Sequence, residues 1–141
     1  MIYLKNQKGI SLIEVVASIA VISIAFFSII NIFPFSLNNS RAAQNITSAA
    51  FLAQAGMEGA LSIVYEDLAA GEFESRARLS DDEDSFLYKF ERETIVSYVD
   101  ENLEESLEDA GLKKIEVNVY WQSPIGGGEK SYELKTLMSD E

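Results

Sequence analysis

Between Lys8 and Arg41 a single side chain carries charge, the carboxylate of Glu14, set in a run of Ile, Val, Leu, Phe and Ala. A carboxylate in such company needs a route to water or a cation, because holding it costs up to ~3 kcal/mol at the centre of a bilayer and less near the interface. The remaining acids crowd elsewhere: residues 71–110 hold 14 acidic and 4 basic side chains, densest at Asp81-Asp82-Glu83-Asp84. Asp81, Asp82 and Asp84 offer oxygen ligands to calcium, and the alternative is a solvated acidic turn. Calcium loops combine alternating ligands with a glycine that permits a sharp turn, and no glycine lies between Asp82 and Asp100, which favours the solvated turn.

The chain has no cysteine and no histidine. Disulfide frameworks, Cys/His zinc sites, thiol nucleophiles and the serine-histidine-carboxylate triad are therefore excluded. Paired carboxylates for glycoside hydrolysis remain arithmetically available, but no cleft-like motif gathers them, so neither an enzyme nor a cofactor is expected. With 23 acidic against 11 basic residues the net charge is −12, opposite in sign to a phosphate-binding face, so no direct nucleic-acid partner is expected either.

The elements that must position Glu14 come next. Residues 15–40 are uncharged, and the apolar part, residues 12–33, is roughly 33 Å long as a helix at ~1.5 Å per residue, close to the ~30 Å hydrocarbon core of a bilayer. Its many β-branched residues lower helix propensity in water, but in lipid every backbone amide must be paired within the segment, and only a helix does that. Lys5, Lys8 and the starting amine sit on the short N-terminal side, which keeps that side cytoplasmic and places the rest outside. The expectation is a single-pass protein of the cytoplasmic (inner) membrane with an extracytoplasmic C-terminal part, in the periplasm or its Gram-positive equivalent. Ala17, Ser18, Ala20, Ser23, Ala25 and Ser28 are small enough to let helices approach closely, or are simply common helix residues.

Beyond the membrane Ala42, Ile46, Ala49, Ala53, Met57, Ala60, Val64 and Leu68 fall at three- or four-residue steps, so the helix is expected to run from about 10 to about 70, roughly 90 Å, with a kink at Pro34. Its 42–68 face is expected to cover a sheet. Phe86, Tyr88 and Phe90 alternate as a strand does, and residues 94–99 extend it or begin a second. Leu103 and Leu107, at i and i+4 before Gly111, predict a short acidic helix over 100–110. From Ile115 to Tyr120 apolar and polar residues alternate strictly. After a Pro/Gly-rich turn Tyr132, Leu134 and Thr136 fit the returning strand of a hairpin over about 113–138. Trp121 reads as a sheet residue packing on the helix, the alternative being an exposed aromatic contact to a partner. The fold class is α+β, one domain, with the acidic region 71–110 as its least regular part.

A secretory signal peptide has its small-residue cleavage site after the apolar run, whereas here Gly9 follows Lys8 and precedes it. The stretch Gln-Lys-Gly-Ile-Ser-Leu-Ile-Glu-Val-Val at 7–16 resembles the leader junction of type IV prepilins and type II secretion pseudopilins, with glutamate fifth after the glycine. The resemblance implies a pilin-like fold and a leader, residues 1–9, removed by a membrane-embedded peptidase between Gly9 and Ile10, followed by methylation of the Ile10 amine. Ile10 departs from the phenylalanine commonest at that position, and Pro34 lies a little later than the family's kinking proline. The resemblance further implies that residues 10–35 enter the filament core, with residues 36–141 as the extracytoplasmic pilin-like domain, and that Glu14 pairs with the free Ile10 amine of a neighbouring subunit, fixing axial register. The alternative for Glu14 is to snorkel to the headgroups. The implied partners are the prepilin peptidase/methyltransferase, other pilin or pseudopilin subunits, the inner-membrane assembly platform with its cytoplasmic ATPase, and membrane lipid.

A less specific resemblance covers Ala-Ala-Phe-Leu-Ala-Gln-Ala-Gly-Met-Glu at 49–58, Val-Asn-Val-Tyr-Trp at 117–121 and Tyr-Glu-Leu-Lys-Thr-Leu at 132–137, which look like the small minor members, the I-type minor pseudopilin and the V-type minor pilins. Such subunits prime or cap a filament of a type IV pilus or a secretion pseudopilus, in the periplasm or at the cell surface. A reading of another class is a single-pass anchored binding or adhesion protein that never polymerises, with the acidic region as its recognition surface.

Overall fold

The computed structural model describes residues 9–123 and 126–140. By contacts the chain divides into two units, residues 1–39 and 40–141.

In the first unit the described residues from Leu12 onward lie in α1, Leu12–Leu61, which contains Pro34 and runs on past it. The neutral polar side chains of the apolar stretch look after themselves. Ser18 Oγ donates to the Glu14 carbonyl at 2.7 Å, Ser23 to Ile19 at 2.7 Å, Ser28 to Ile24 at 2.8 Å, and the Asn31 amide to Phe27 at 2.8 Å. Each bond runs back one turn, so the three serine hydroxyl protons and one Asn31 amide proton need no outside acceptor, which suits a helix surrounded by hydrocarbon.

The second unit is a stretch of α1 laid on an antiparallel sheet. The strands are β1 (Gly71–Arg78), β2 (Phe90–Val99), β3 (Glu105–Ser106), β4 (Leu112–Gln122) and β5 (Glu129–Ser139). Their order is β1-β2-β4-β5, with the two-residue β3 also paired to β2. Strand alternation sends Ile115, Val117, Val119 and Trp121 of β4 and Phe90, Thr94 and Val96 of β2 to one face. Onto this face α1 lowers Ala49, Ala53, Gly56, Met57 and Ala60, mostly small residues that let helix and sheet approach closely. Leu68 completes the core and Trp121 is buried in it, beside Phe90.

Three expectations need correction. The helix stops at Leu61 instead of reaching about 70. Ser62 Oγ donates to the Gly59 carbonyl at 2.7 Å, the Ile63 N–H closes onto Ala60 at 3.2 Å, and Val64 is extended at φ −64°, ψ 145°. A 3-10 turn at Tyr65–Asp67 follows, and Lys113 Nζ takes the carbonyls of Tyr65 and Leu68 that a continuing helix would turn toward N–H groups further on. The regular spacing through Val64 and Leu68 therefore mixes an exposed residue with a core one.

The aromatic alternation at Phe86 and Tyr88 belongs to a second 3-10 turn, Phe86–Lys89, entered by Ser85 whose hydroxyl accepts the Leu87 N–H at 3.2 Å; the strand starts only at Phe90. No helix forms over 100–110. The Asp100 carboxylate accepts the N–H groups of Asn102 at 2.8 Å and Glu104 at 2.9 Å, Leu103 adopts φ 65°, and the chain turns into β3. Side chain-to-backbone bonds of this kind compete with helix, and both leucines are left exposed. β1, in the polar region, had no apolar alternation to mark it.

Candidate processing and assembly site

Gly9, Ile10 and Ser11 lie outside the helix and are exposed; Lys8 lies outside the described residues. α1 starts where it does because Ser11 and Glu14 have the spacing of a capping box. The Glu14 Oε2 accepts the Ser11 N–H at 3.0 Å, while the Ser11 carbonyl accepts the N–H of Glu14 at 3.0 Å and of Val15 at 3.3 Å. A carboxylate in the first turn also suits the positive end of the helix dipole. Glu14 thus has a local partner within its own chain, and among the described residues no cation pairs with it. The sequence spacing Ser-x-x-Glu carried that signal.

Among the described residues nothing demands glycine at position 9. A Cβ built there meets no atom within 4 Å, and its φ is not in the left-handed range.

Asp81, Asp82 and Asp84 do not come together as a cage. Asp82 Oδ1 accepts the Asp84 N–H at 3.1 Å and its own N–H goes to Ser80 Oγ at 3.2 Å, so the side chains shape a turn. Among the described residues no group of three or more carboxylates, histidines or cysteines is placed to hold a metal ion.

The polar groups that fasten α1 to the sheet were not singled out from sequence. Arg92 lies on the helix-facing side of β2, makes two 2.8 Å bonds to the Glu74 carboxylate and donates to the Leu52 carbonyl at 3.3 Å; Thr94 donates to the same carboxylate at 3.1 Å. These donors, Arg92 first, hold the Glu74 pKa below its ordinary value. The buried Asn45 accepts from Lys89 Nζ at 2.8 Å. Lys113, buried on β4, donates to the carbonyls of Tyr65 at 2.6 Å and Leu68 at 2.9 Å and stands 3.8 Å from the centre of the Tyr65 ring. Tyr65 Oη donates to Asp109, and this bond, with the Gly111 N–H, lowers the Asp109 pKa, whereas burial and then Asp109 push the tyrosine up. Strand parity is the signal that finds Arg92 and Lys113: each shares its face with an apolar neighbour two residues away, Phe90 and Ile115 respectively.

Residues 4–30 match the family model described as the prokaryotic N-terminal methylation motif. No curated protein and no solved structure matches the chain. The class defined by motif and fold is pilin-like: an N-terminal helix long and apolar enough to cross a membrane, part of which packs on a small antiparallel sheet. Proteins bearing this motif are structural subunits and not enzymes, and the motif implies processing by prepilin peptidase and assembly with other pilins.

Proposed function

We propose that the chain is a minor pilin or pseudopilin, cut between Gly9 and Ile10, N-methylated on Ile10, and assembled into or at the tip of a type IV pilus or type II secretion pseudopilus. The observation that carries this reading is the junction itself: residues 9–11 lie outside the helix immediately before an apolar run whose one carboxylate, Glu14, caps the helix start. Cleavage there leaves a cationic amine at Ile10, and Glu14 pairs with that amine of the next subunit. Two charges that are costly in lipid then compensate each other and set the axial step between helices. Lys5 and Lys8 keep the leader in the cytoplasm and residues 40–141 outside, where extraction by a membrane platform with its cytoplasmic ATPase draws the subunit from the lipid.

The test is the mature N-terminus. Protein recovered from cells with an active prepilin peptidase should begin at a methylated Ile10, and from cells lacking it at Met1. An intact Met1 in both would overturn the proposal.

A further inference from the structure

The two edges of the sheet differ. On the β1 side the ladder to β2 is broken by register shifts between Glu72 and Glu74 and between Glu74 and Ala77, irregularities that blunt an edge. On the other side β5 pairs with β4 without a shift from Leu112↔Ser139 to Gln122↔Glu129, contains neither proline nor glycine, and among the described residues has no strand on its far side. That leaves a straight row of backbone donors and acceptors open to a further strand.

We propose that the occupant is β5 of a second copy of this chain, antiparallel about Leu134. Leu134 is the midpoint of Glu129–Ser139, so a two-fold through it brings the whole strand into register. The same register sets Glu133 opposite the partner's Lys135 and Lys135 opposite the partner's Glu133 on the outer face. On the helix-facing side Leu134 meets the partner's Leu134 and Tyr132 meets the partner's Thr136. Glu133 and Lys135 are 49% and 46% exposed, so both have room for a further partner beyond their own 2.9 Å contact and the 3.1 Å contact of Lys135 with Glu116. A slip of two residues sets Glu133 against its like or Lys135 against its like, and a slip of one interchanges the two faces of the strand. Charge and strand length thus choose one register. Tyr132, Leu134 and Met138 already pack against the core and would extend it across the joint.

Antiparallel pairing of this kind has its two-fold axis perpendicular to the sheet. The stretches of α1 that cover the two sheets then lie on one face and run in opposite directions. The pairing rests on the sheet alone and does not depend on the filament role proposed above.

The chain has no cysteine, so a single one reports without background. Full-length protein in detergent carrying Leu134→Cys should oxidise to a disulfide-linked dimer. Adding Glu133→Lys or Lys135→Glu should cut the yield roughly ten-fold, because each sets like charges opposite at two places, and mixing the two variants should restore it. Should Leu134→Cys not fold, Ser131→Cys mixed with Leu137→Cys reads the same register. No dimer from folded protein, an equal yield from Phe73→Cys on β1, or indifference to the charge changes would overturn the pairing.

Discussion

Gly56 lies directly over the side chain of Arg92: a Cβ built on the glycine would stand 2.9 Å from Arg92 Cδ, 3.1 Å from Nε and 3.1 Å from Val117 Cγ1. Arg92 cannot swing away freely, because Glu74 and the Leu52 carbonyl hold its guanidinium. Gly56→Ala should therefore destabilise the second unit by about 1–2 kcal/mol, the overpacking cost outweighing the ~1 kcal/mol that alanine gains in a helix. The sign is informative, since an unconstrained helical glycine would give the opposite. Thermal unfolding of the single variant and of Gly56→Ala in an Arg92→Ala background checks it; the cost should shrink when the arginine is gone.

The same contact makes stability depend on pH. Glu74 has a folded-state pKa held below its ordinary 4.5 by the Arg92 hydrogen bonds. It contributes stability above the unfolded value, and that contribution is lost as pH falls through the folded value. Unfolding midpoints measured between pH 6 and pH 3 should drop on acidification. Glu74→Gln should start lower and show a shallower acid slope.

Lys113 closes the route from helix to sheet. Lys113→Met keeps the apolar stem but takes the ammonium donor from the Leu68 carbonyl and from that of Tyr65, which retains the Leu68 N–H at 3.3 Å, so a loss of about 1–3 kcal/mol in urea unfolding is expected. Its neighbour Tyr65 titrates in the other direction. Burial and Asp109 raise the tyrosine pKa, so its contribution is complete below the ordinary value of 10.0 and is lost as pH rises through the raised one. Tyr65→Phe should lower stability at neutral pH and remove that part of the alkaline fall, which a comparison of unfolding midpoints at pH 8 and pH 11 would detect.

How far the sequence carries the fold can be seen in these same residues. Ile115 to Tyr120 and Tyr132 to Thr136 alternate because one face is buried, and the strands lie there. The apolar run after Glu14 could be only a helix in lipid. Where the chain instead uses side chain-to-backbone bonds, periodicity misleads: Asp100 turns a helical-looking Leu103/Leu107 pair into a loop, and Lys113 holds the carbonyls of Tyr65 and Leu68 in the turn beyond Leu61. Such bonds join residues whose relation is set by the tertiary fold, or depend on one conformer of a short acid, and neither leaves a repeat in the sequence. Ser11 and Glu14 are the local counterpart, with a spacing that could be read directly.

Glu14 has two capacities that one substitution separates. As a hydrogen-bond acceptor it takes the Ser11 N–H and starts α1; as an anion it offers charge to an amine. Glu14→Gln keeps an acceptor oxygen at the same reach and removes the charge, whereas Glu14→Ala removes both. If axial register depends on the charge, both variants should be cleaved after Gly9 yet enter filaments poorly, with incorporation down about ten-fold or more for Gln as well as Ala. If Glu14 matters only as a helix cap, Gln should assemble like the parent and Ala alone should fail. Comparing the processed band in membranes with the amount in sheared filaments distinguishes the two, because cleavage reports the junction and shearing reports the assembled helix.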